Sequence, residues 1–274
     1  MSDYLDVTLM GIIQGVTEFL PISSSGHLAL LSALFGFGGR EGLSLTVVLH
    51  AGSLAAIIAV YFRELCKFFK PGFLHLLGML IVATIPAGVV GVIVHKLEWD
   101  EQYFGNMLFV GSGFLITGAV LRLTGRPKLI ARSESAEGTP LEKITFRQAL
   151  TVGFAQMFAI APGISRSGST ISAGVLCGIR REAAATFSFL MAIPVIGGAV
   201  LVKLLGADLD GGDMGGMGLG PLVLGFVVST AVSFAALTCL LKLIRRGKLR
   251  YFSWYMLALG AAVTLWQMFE IMKH

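Results

Sequence analysis

Long runs of apolar residues, separated by short polar stretches, dominate the chain. Runs of roughly 20 apolar residues can cross a bilayer as helices, whereas the strands of a membrane β-barrel alternate apolar and polar positions. The pattern therefore predicts an all-α integral membrane protein, a polytopic helical bundle. Six runs are predicted to be full spans, at about residues 44–62, 73–95, 104–123, 184–204, 219–243 and 252–271.

Two further apolar segments, at about residues 7–39 and 146–179, are interrupted by polar clusters. The first is broken by PISSSGH at 21–27 and the second by APGISRSGST at 161–170. Pro and Gly are unfavourable inside a helix, and irregular backbone at membrane depth is tolerated only within protein or beside a water-filled cavity. We expect each segment to form a re-entrant helical hairpin, which enters and leaves the bilayer on one side.

The two interrupted segments resemble each other, and three spans follow each of them. In a common register Gly11 matches Gly153, and Gln14 matches Gln156. The matching turn residues are Ser23 with Ser165, Ser25 with Ser167, and Gly26 with Gly168. The chain thus has the pattern of a duplicated unit, and an odd number of spans per unit places the second copy upside-down. Such inverted repeats carry their sites near the bilayer midplane.

This repetition predicts the organisation of the chain. Residues 1–123 form the first repeat, residues 146–274 form the second, and the polar stretch 124–145 is a cytoplasmic linker. Most of the 21 Lys and Arg residues then fall on one side of the membrane, and Lys/Arg-rich loops are cytoplasmic. We expect the first hairpin to open outward, the second to enter from the cytoplasm, and their tips to meet.

Composition changes this picture little. Charged residues make up 14% of the 274 residues, against about 25% in soluble domains. The net charge of +5 comes from short loops without interleaved aromatic residues, so no nucleic-acid partner is predicted. Cys66, Cys177 and Cys239 have no CxxC spacing and predict neither a disulfide framework nor a zinc site.

Ionisable residues inside apolar segments are costly to insert and are commonly functional. Four stand out here: Glu18, His27, His50 and Arg166. His50 lies inside a full span and is more typical of a hydrogen-bonded interior histidine. The other three lie in the hairpins, and Gln14 shares a helix face with Glu18 because the two are four residues apart.

The two turns together indicate phosphoryl chemistry. The first combines a carboxylate, three serine hydroxyls and an imidazole. The second is a Gly/Ser-rich turn opening a helix, which presents backbone N–H groups to an anion, and Arg166 adds a planar guanidinium suited to phosphate oxygens. A structural alternative is a capped helix break with Glu18 and Arg166 neutralising each other, and that pairing is compatible with phosphate binding.

QGVTEFLPISSSGH at 14–27 and PGISRSGST at 162–170 resemble the two signature stretches of the undecaprenyl-diphosphate phosphatase family, the bacitracin-resistance type. The resemblance runs through nearly the whole chain. It implies an enzyme that removes the terminal phosphate of a C55 isoprenoid diphosphate and so recycles the lipid carrier of cell-wall synthesis. It also implies interlocked inverted repeats in a bacterial plasma membrane, a polyprenyl diphosphate substrate, and a site that opens outward. A homodimer is left open.

The resemblance also implies roles for individual residues. Ser24 is the expected nucleophile, although the neighbouring serines, or direct attack by water, would use the same residues. His27 is expected as general base or acid, Glu18 as a cation ligand or as the group that orients His27, and Arg166 as the phosphate clamp. Phosphate contacts are expected from Ser23, Ser25, Gly163, Ser165, Arg166, Ser167 and Thr170.

The family further implies a divalent cation, Mg²⁺ or Ca²⁺, which suits a diphosphate. Glu18 and Gln14 are the candidate metal ligands. Gln14 occupies a position where some family members have Glu, and a neutral amide is the weaker ligand.

Two other functions compete with this interpretation. A transporter or flippase of polyprenyl phosphate or another lipid would share the inverted repeats and broken helices, but it would not need a Ser–His pair. Phosphatases of the phosphatidic-acid type share the stretch SSGH at 24–27, but their Lys-x6-Arg-Pro and Ser-Arg-x5-His-x3-Asp motifs are absent.

Overall fold

The computed structural model describes residues 3–35, 43–68, 71–97, 105–125, 138–206 and 218–273. Across these ranges the chain is helical, apart from an isolated parallel bridge between Thr139 and Ile179, which confirms the all-α prediction. The helices are α1 Asp3–Phe19, α2 Ser24–Phe35, α3 Leu43–Val60, α4 Phe62–Lys67, α5 Leu74–Lys96, α6 Met107–Thr124, α7 Phe146–Phe158, α8 Arg166–Leu176, α9 Arg181–Gly206, α10 Leu219–Arg245 and α11 Arg250–Met272.

Five of these helices, α5, α6, α9, α10 and α11, are long and apolar enough to cross a membrane. They coincide with five of the six predicted spans. The remaining predicted span, 44–62, coincides with α3, whose apolar part Leu45–Val60 is shorter than the others. The chain is therefore a helical protein with several membrane-crossing segments, and the full count of six spans stays a prediction.

The outer faces of these helices are apolar. On α5, Ile81, Ile85, Val89 and Val92 are all more than half exposed and recur at helical spacing. Water would penalise so large an apolar surface, whereas lipid chains would not. The exposed surface thus agrees with the predicted bilayer environment.

Each interrupted segment folds as two helices joined by a turn. The first consists of α1 and α2, and the second of α7 and α8. Pro21, Pro162 and Gly163 lie in the turns 20–23 and 159–165, whereas Gly26 and Gly168 lie in the first turns of α2 and α8. Residues 36–39 of the first predicted hairpin, residue 104 of the third predicted span and residues 126–137 of the predicted linker lie outside the described residues. Whether the hairpins are re-entrant stays a prediction.

Each half of the chain packs one helix of its interrupted segment against a helix of the other half. Helix α1 packs against α10, and the equivalent helix of the second half, α7, packs against α5. Matching glycines lie at these two crossings. A Cβ on Gly11 would lie 3.1 Å from Val228, and a Cβ on Gly153 would lie 2.5 Å from the carbonyl oxygen of Ala83. Close approach of backbones therefore holds each interrupted segment against the opposite half.

We predict that Gly153→Ala lowers the melting temperature of the detergent-solubilised protein, because backbone atoms of Ala83 occupy the space of the new methyl group. Overpacking of this kind costs about 1–3 kcal/mol. The matched control is Gly88→Ala on α5, where a Cβ would have no neighbour within 4 Å, so its melting temperature should be equal or higher. Equal melting temperatures for both variants and the wild type would contradict the α5–α7 contact.

Candidate active site

The first turn has a strained backbone at Ser23. Its φ is 68°, in the left-handed region that a residue with a Cβ rarely adopts. Pro21 follows α1 closely, and α2 begins at Ser24. Gly26 is required by close packing, since a Cβ there would lie 2.5 Å from the Phe114 ring and 2.9 Å from the Cα of Gly163.

The second turn is held by Thr117 of α6. Its hydroxyl accepts from the backbone N–H of Ser165 at 2.9 Å and donates to the carbonyl of Gly163 at 3.1 Å. Gly163 has a φ of 83°, which glycine adopts without strain. The Ser165 hydroxyl caps α8 by accepting from the N–H of Gly168 at 3.1 Å. The turn is therefore fixed both from within and from α6.

The two turns meet at an ion pair. Arg166 donates from Nη2 to Oε1 of Glu18 at 2.6 Å, with both side chains largely buried. The Ser167 hydroxyl adds a hydrogen bond to the carbonyl of Leu20 at 3.3 Å. Residues far apart in the sequence thus form one site.

The carboxylate of Glu18 is shared among three partners. Oε1 accepts from Arg166, while Oε2 accepts from the Ser24 hydroxyl at 2.7 Å and from the Gln14 amide at 3.1 Å. The hydroxyl of Ser24 therefore points its hydrogen at a negatively charged oxygen. This arrangement is suited to removing the serine proton as the oxygen attacks an electrophile.

His27 makes its hydrogen bonds elsewhere. Its Nδ1 lies 2.8 Å from the carbonyl oxygen of Ser23, and its Nε2 lies 2.7 Å from the hydroxyl of Tyr255. Both ring nitrogens are thus engaged away from Ser24 and Glu18. The roles predicted for His27 as acid or base, and for Glu18 as the group that orients it, stay predictions.

The hydroxyls predicted to attack the phosphate, in the case of Ser24, or to bind it fall into two groups. Ser24 is half-buried and Ser25 exposed, so both face the accessible side of the first turn. Ser23, Ser165, Ser167 and Thr170 are buried. Thr170 bonds to the carbonyl of Arg166 and to the Ser188 hydroxyl at 2.5 Å. In this arrangement the buried hydroxyls shape and support the turns.

The guanidinium of Arg166 has a second terminal nitrogen, Nη1. Its Nη1 is buried and has no hydrogen-bond partner among the described residues. Buried donors are nearly always satisfied, so an acceptor such as a phosphate oxygen would complete this site. The guanidinium can therefore hold Glu18 with one end and an anion with the other.

The residues around Gln14 offer little to a metal ion. No group of three His, Cys, Asp or Glu side chains within the described ranges could hold one. The Oε1 of Gln14 is buried, has no hydrogen-bond partner in the described part of the chain, and lies beside a pocket that Thr46 and His50 also line. His50 itself donates from Nδ1 to the carbonyl of Thr46 at 2.8 Å, as expected of an interior histidine. These donors fit a cation only if most of its ligands come from a bound diphosphate.

Sequence reasoning missed Thr117 and Tyr255. Thr117 lies in an apolar helix, and threonine there normally bonds to its own backbone. Tyr255 lies one turn after Tyr251 near the start of α11, where an interfacial aromatic is the ordinary expectation. Their partners lie far away in the sequence, so no local pattern points to these contacts.

The fold and the site define a helical, multi-pass membrane protein with a serine, a carboxylate and an arginine joined where two broken helical segments touch. Residues 7–262 match the family described as bacitracin resistance protein BacA. The chain belongs to this family, which confirms the resemblance in its motifs.

Curated relatives agree with this assignment over nearly full length. The chain is 38% identical to an undecaprenyl-diphosphatase of Desulfatibacillum aliphaticivorans, covering 96% of this chain and 98% of the relative. It is 39% identical to one of Sorangium cellulosum, covering 96% and 86%, and 35% identical to one of Bacteroides thetaiotaomicron, covering 97% and 99%.

We predict that Thr117→Val lowers the melting temperature, because it leaves the buried N–H of Ser165 without its acceptor, at a cost of about 1–3 kcal/mol. The control is Thr238→Val on α10, whose hydroxyl bonds within its own helix to the carbonyl of Phe234. A melting temperature for Thr117→Val no lower than that of the control would contradict a structural role of Thr117.

Proposed function

We propose that this protein hydrolyses undecaprenyl diphosphate to undecaprenyl phosphate and inorganic phosphate. It would thereby return the lipid carrier of cell-wall synthesis to use and confer resistance to bacitracin. The observation that carries the proposal is the hydrogen bond from Ser24 to Glu18 beside Arg166. Relatives named undecaprenyl-diphosphatase over nearly the full length support the same substrate.

In the first step, the Oγ of Ser24 attacks the terminal phosphorus of the diphosphate. The new Oγ–P bond forms as the bond to the bridging oxygen breaks, and undecaprenyl phosphate departs. The proton of Ser24 passes to Oε2 of Glu18, to which it is already hydrogen-bonded at 2.7 Å. Arg166 stabilises the charge on the transferring phosphoryl group, a contribution that fixed cations commonly make.

In the second step, water attacks the phosphoserine. Glu18 returns its proton to the departing oxygen of Ser24, and both hydrogens of the water leave with the inorganic phosphate. Atoms and charges then balance without a further base. The acid or base role of His27 stays a prediction, because its ring nitrogens are bonded to Ser23 and Tyr255 and these two steps do not require it.

A divalent cation, Mg²⁺ or Ca²⁺, is proposed to accompany the substrate. When bound, it would neutralise charge on the diphosphate. Gln14 would contribute its Oε1, which no described residue bonds, and Glu18 would contribute its carboxylate. The chain itself positions the serine and the guanidinium.

The proposed topology is that of two inverted repeats, 1–123 and 146–274, with six spans and two re-entrant hairpins. The exchanged contacts of α1 with α10 and of α7 with α5 support it, because a two-fold relation between the halves would produce such a pair. In a bacterial plasma membrane the site would open to the outer side. A lipid transporter would need Arg166 and the helix ends, but it would not need a serine bonded to a carboxylate.

Ser24→Ala should lower phosphate release from undecaprenyl or farnesyl diphosphate by roughly 10³-fold or more, because covalent catalysis loses its nucleophile. Arg166→Ala should cost roughly 10²–10³-fold. The control is Ser112→Ala on α6, where the exposed hydroxyl bonds within its own helix to the carbonyl of Phe109. The rate of this variant should equal that of the wild type.

Two results would contradict parts of this proposal. If well-folded wild-type protein released no phosphate from any prenyl diphosphate, the hydrolase would be excluded and transport would become the leading function. If Ser24→Ala retained activity within tenfold of the wild type, attack by water would replace the phosphoserine step.

Gln14→Glu should lower the Mg²⁺ concentration at half-maximal activity, because a second carboxylate binds the cation more strongly than an amide. Gln14→Leu should raise that concentration. The measurement is a Mg²⁺ titration after removal of metal with EDTA, at saturating farnesyl diphosphate. Identical titration curves for the three proteins would place the cation away from residue 14.

A further inference from the structure

The imidazole of His27 contacts two aromatic rings from different helices. The ring of Tyr255 on α11 is nearly parallel to it, with centroids 5.8 Å apart and planes at 12°. The ring of Phe114 on α6 lies 5.3 Å away at an angle of 56°. The Tyr255 hydroxyl reaches the Nε2 of His27 at 2.7 Å. The imidazole is therefore packed against two aromatic rings and held at its outer nitrogen.

These contacts determine which nitrogen of His27 carries hydrogen. A carbonyl oxygen only accepts, so the contact with Ser23 requires hydrogen on Nδ1. In the neutral ring Nε2 is then an acceptor, and the hydroxyl of Tyr255 is its donor. A partner on the second nitrogen fixes both the tautomer and the orientation of a histidine.

The orientation of His27 bears on the nucleophile through Ser23. The carbonyl of Ser23 accepts from the backbone N–H of His27 at 3.2 Å as well as from Nδ1 at 2.8 Å. Ser23 is also the residue held at a φ of 68°. Ser24 follows directly, and its hydroxyl must point at Glu18. Strained conformations of this kind persist only when surrounding contacts hold them.

Packing of α11 against α6 places the Tyr255 hydroxyl. A Cβ on Gly118 would lie 2.7 Å from Leu257, and a Cβ on Gly260 would lie 2.8 Å from the backbone of Leu115. The two helices therefore approach each other closely in the turn of α6 that follows Phe114. Tyr255 is itself 46% exposed, so burial of its ring does not account for the hydrogen bond.

We propose that Tyr255 is a positioning residue of the reaction. Its hydroxyl holds the imidazole of His27 and, through it, the turn of Ser23 and Ser24 in the geometry that attack requires. The expected effect on kcat rests on the proposed hydrolysis. The contact itself is a property of the protein without substrate and can be measured separately.

The kinetic test is Tyr255→Phe, which keeps the ring and removes the hydroxyl. We expect kcat for farnesyl diphosphate to fall about tenfold, with KM within twofold, because Tyr255 acts on the turn and not on the substrate. The matched control is Tyr251→Phe, one turn earlier on α11, where the exposed ring lies beside Arg250. Its kcat and KM should equal those of the wild type.

A double-mutant cycle then tests whether Tyr255 acts through His27. In protein that carries His27→Ala, addition of Tyr255→Phe should lower kcat no further. A second tenfold loss in that background would overturn the inference. A kcat for Tyr255→Phe within twofold of the wild type would overturn it as well.

The ring nitrogens of His27 give a readout that needs no activity. In protein with ¹⁵N-labelled histidine, the Nε2 resonance of His27 is identified by its loss in His27→Ala. It should shift in Tyr255→Phe and stay in place in Tyr251→Phe. An unchanged resonance in Tyr255→Phe would overturn the contact. A wild type that releases no phosphate would overturn the positioning role together with the proposed hydrolysis, and the nitrogen shifts would still decide the contact alone.

Discussion

The ion pair of Arg166 with Glu18 joins residues 148 positions apart, and the two turns of the site depend on it. A lone charge in an apolar segment is costly, and each of these residues removes that cost for the other. Loss of either partner would leave a buried charge, at a cost of roughly 3–5 kcal/mol. The pair therefore constrains the fold and the chemistry at once, because a fold that separates the two turns leaves both charges unpaired.

Small residues make this meeting of charges sterically feasible. Gly26 lies against Phe114 and Gly163, and Gly113 lies against the carbonyl of Pro162. A methyl group on Gly26 would hold the two turns apart, and one on Gly113 would hold the second turn away from α6. The same logic applies at the crossings of α1 with α10 and of α5 with α7, where glycines bring backbones together. The attraction between Glu18 and Arg166 favours the contact of the turns, and the glycines leave enough space for it.

Much of this arrangement could be predicted from the sequence. Pro21 and Pro162 interrupt apolar runs and so predict two broken helical segments, and the rarity of Glu18 and Arg166 in such surroundings predicts that they matter. The partners of His27 could not be predicted. Its contact with Tyr255 spans 228 residues, and an aromatic near the end of an apolar helix has an ordinary interfacial explanation. Thr117 was missed for a similar reason, because its hydrogen-bond partners lie outside its own helix. Sequence patterns do not show which remote segments come into contact.

The ion pair does not exclude phosphate from Arg166, because the guanidinium has more than one end. Nη2 is bonded to Oε1 of Glu18, whereas Nη1 is buried and unpartnered among the described residues. A phosphate oxygen at Nη1 would satisfy that donor while the pair stays intact. Glu18 would then keep Arg166 on one oxygen and the Ser24 proton on the other. A carboxylate paired with a cation is a weaker base than a free one. A phosphate bound to Arg166 would offset part of the positive charge near Glu18, so Glu18 would be a stronger base. Substrate binding would thus increase the tendency of Glu18 to accept the proton of Ser24, as the proposed attack requires.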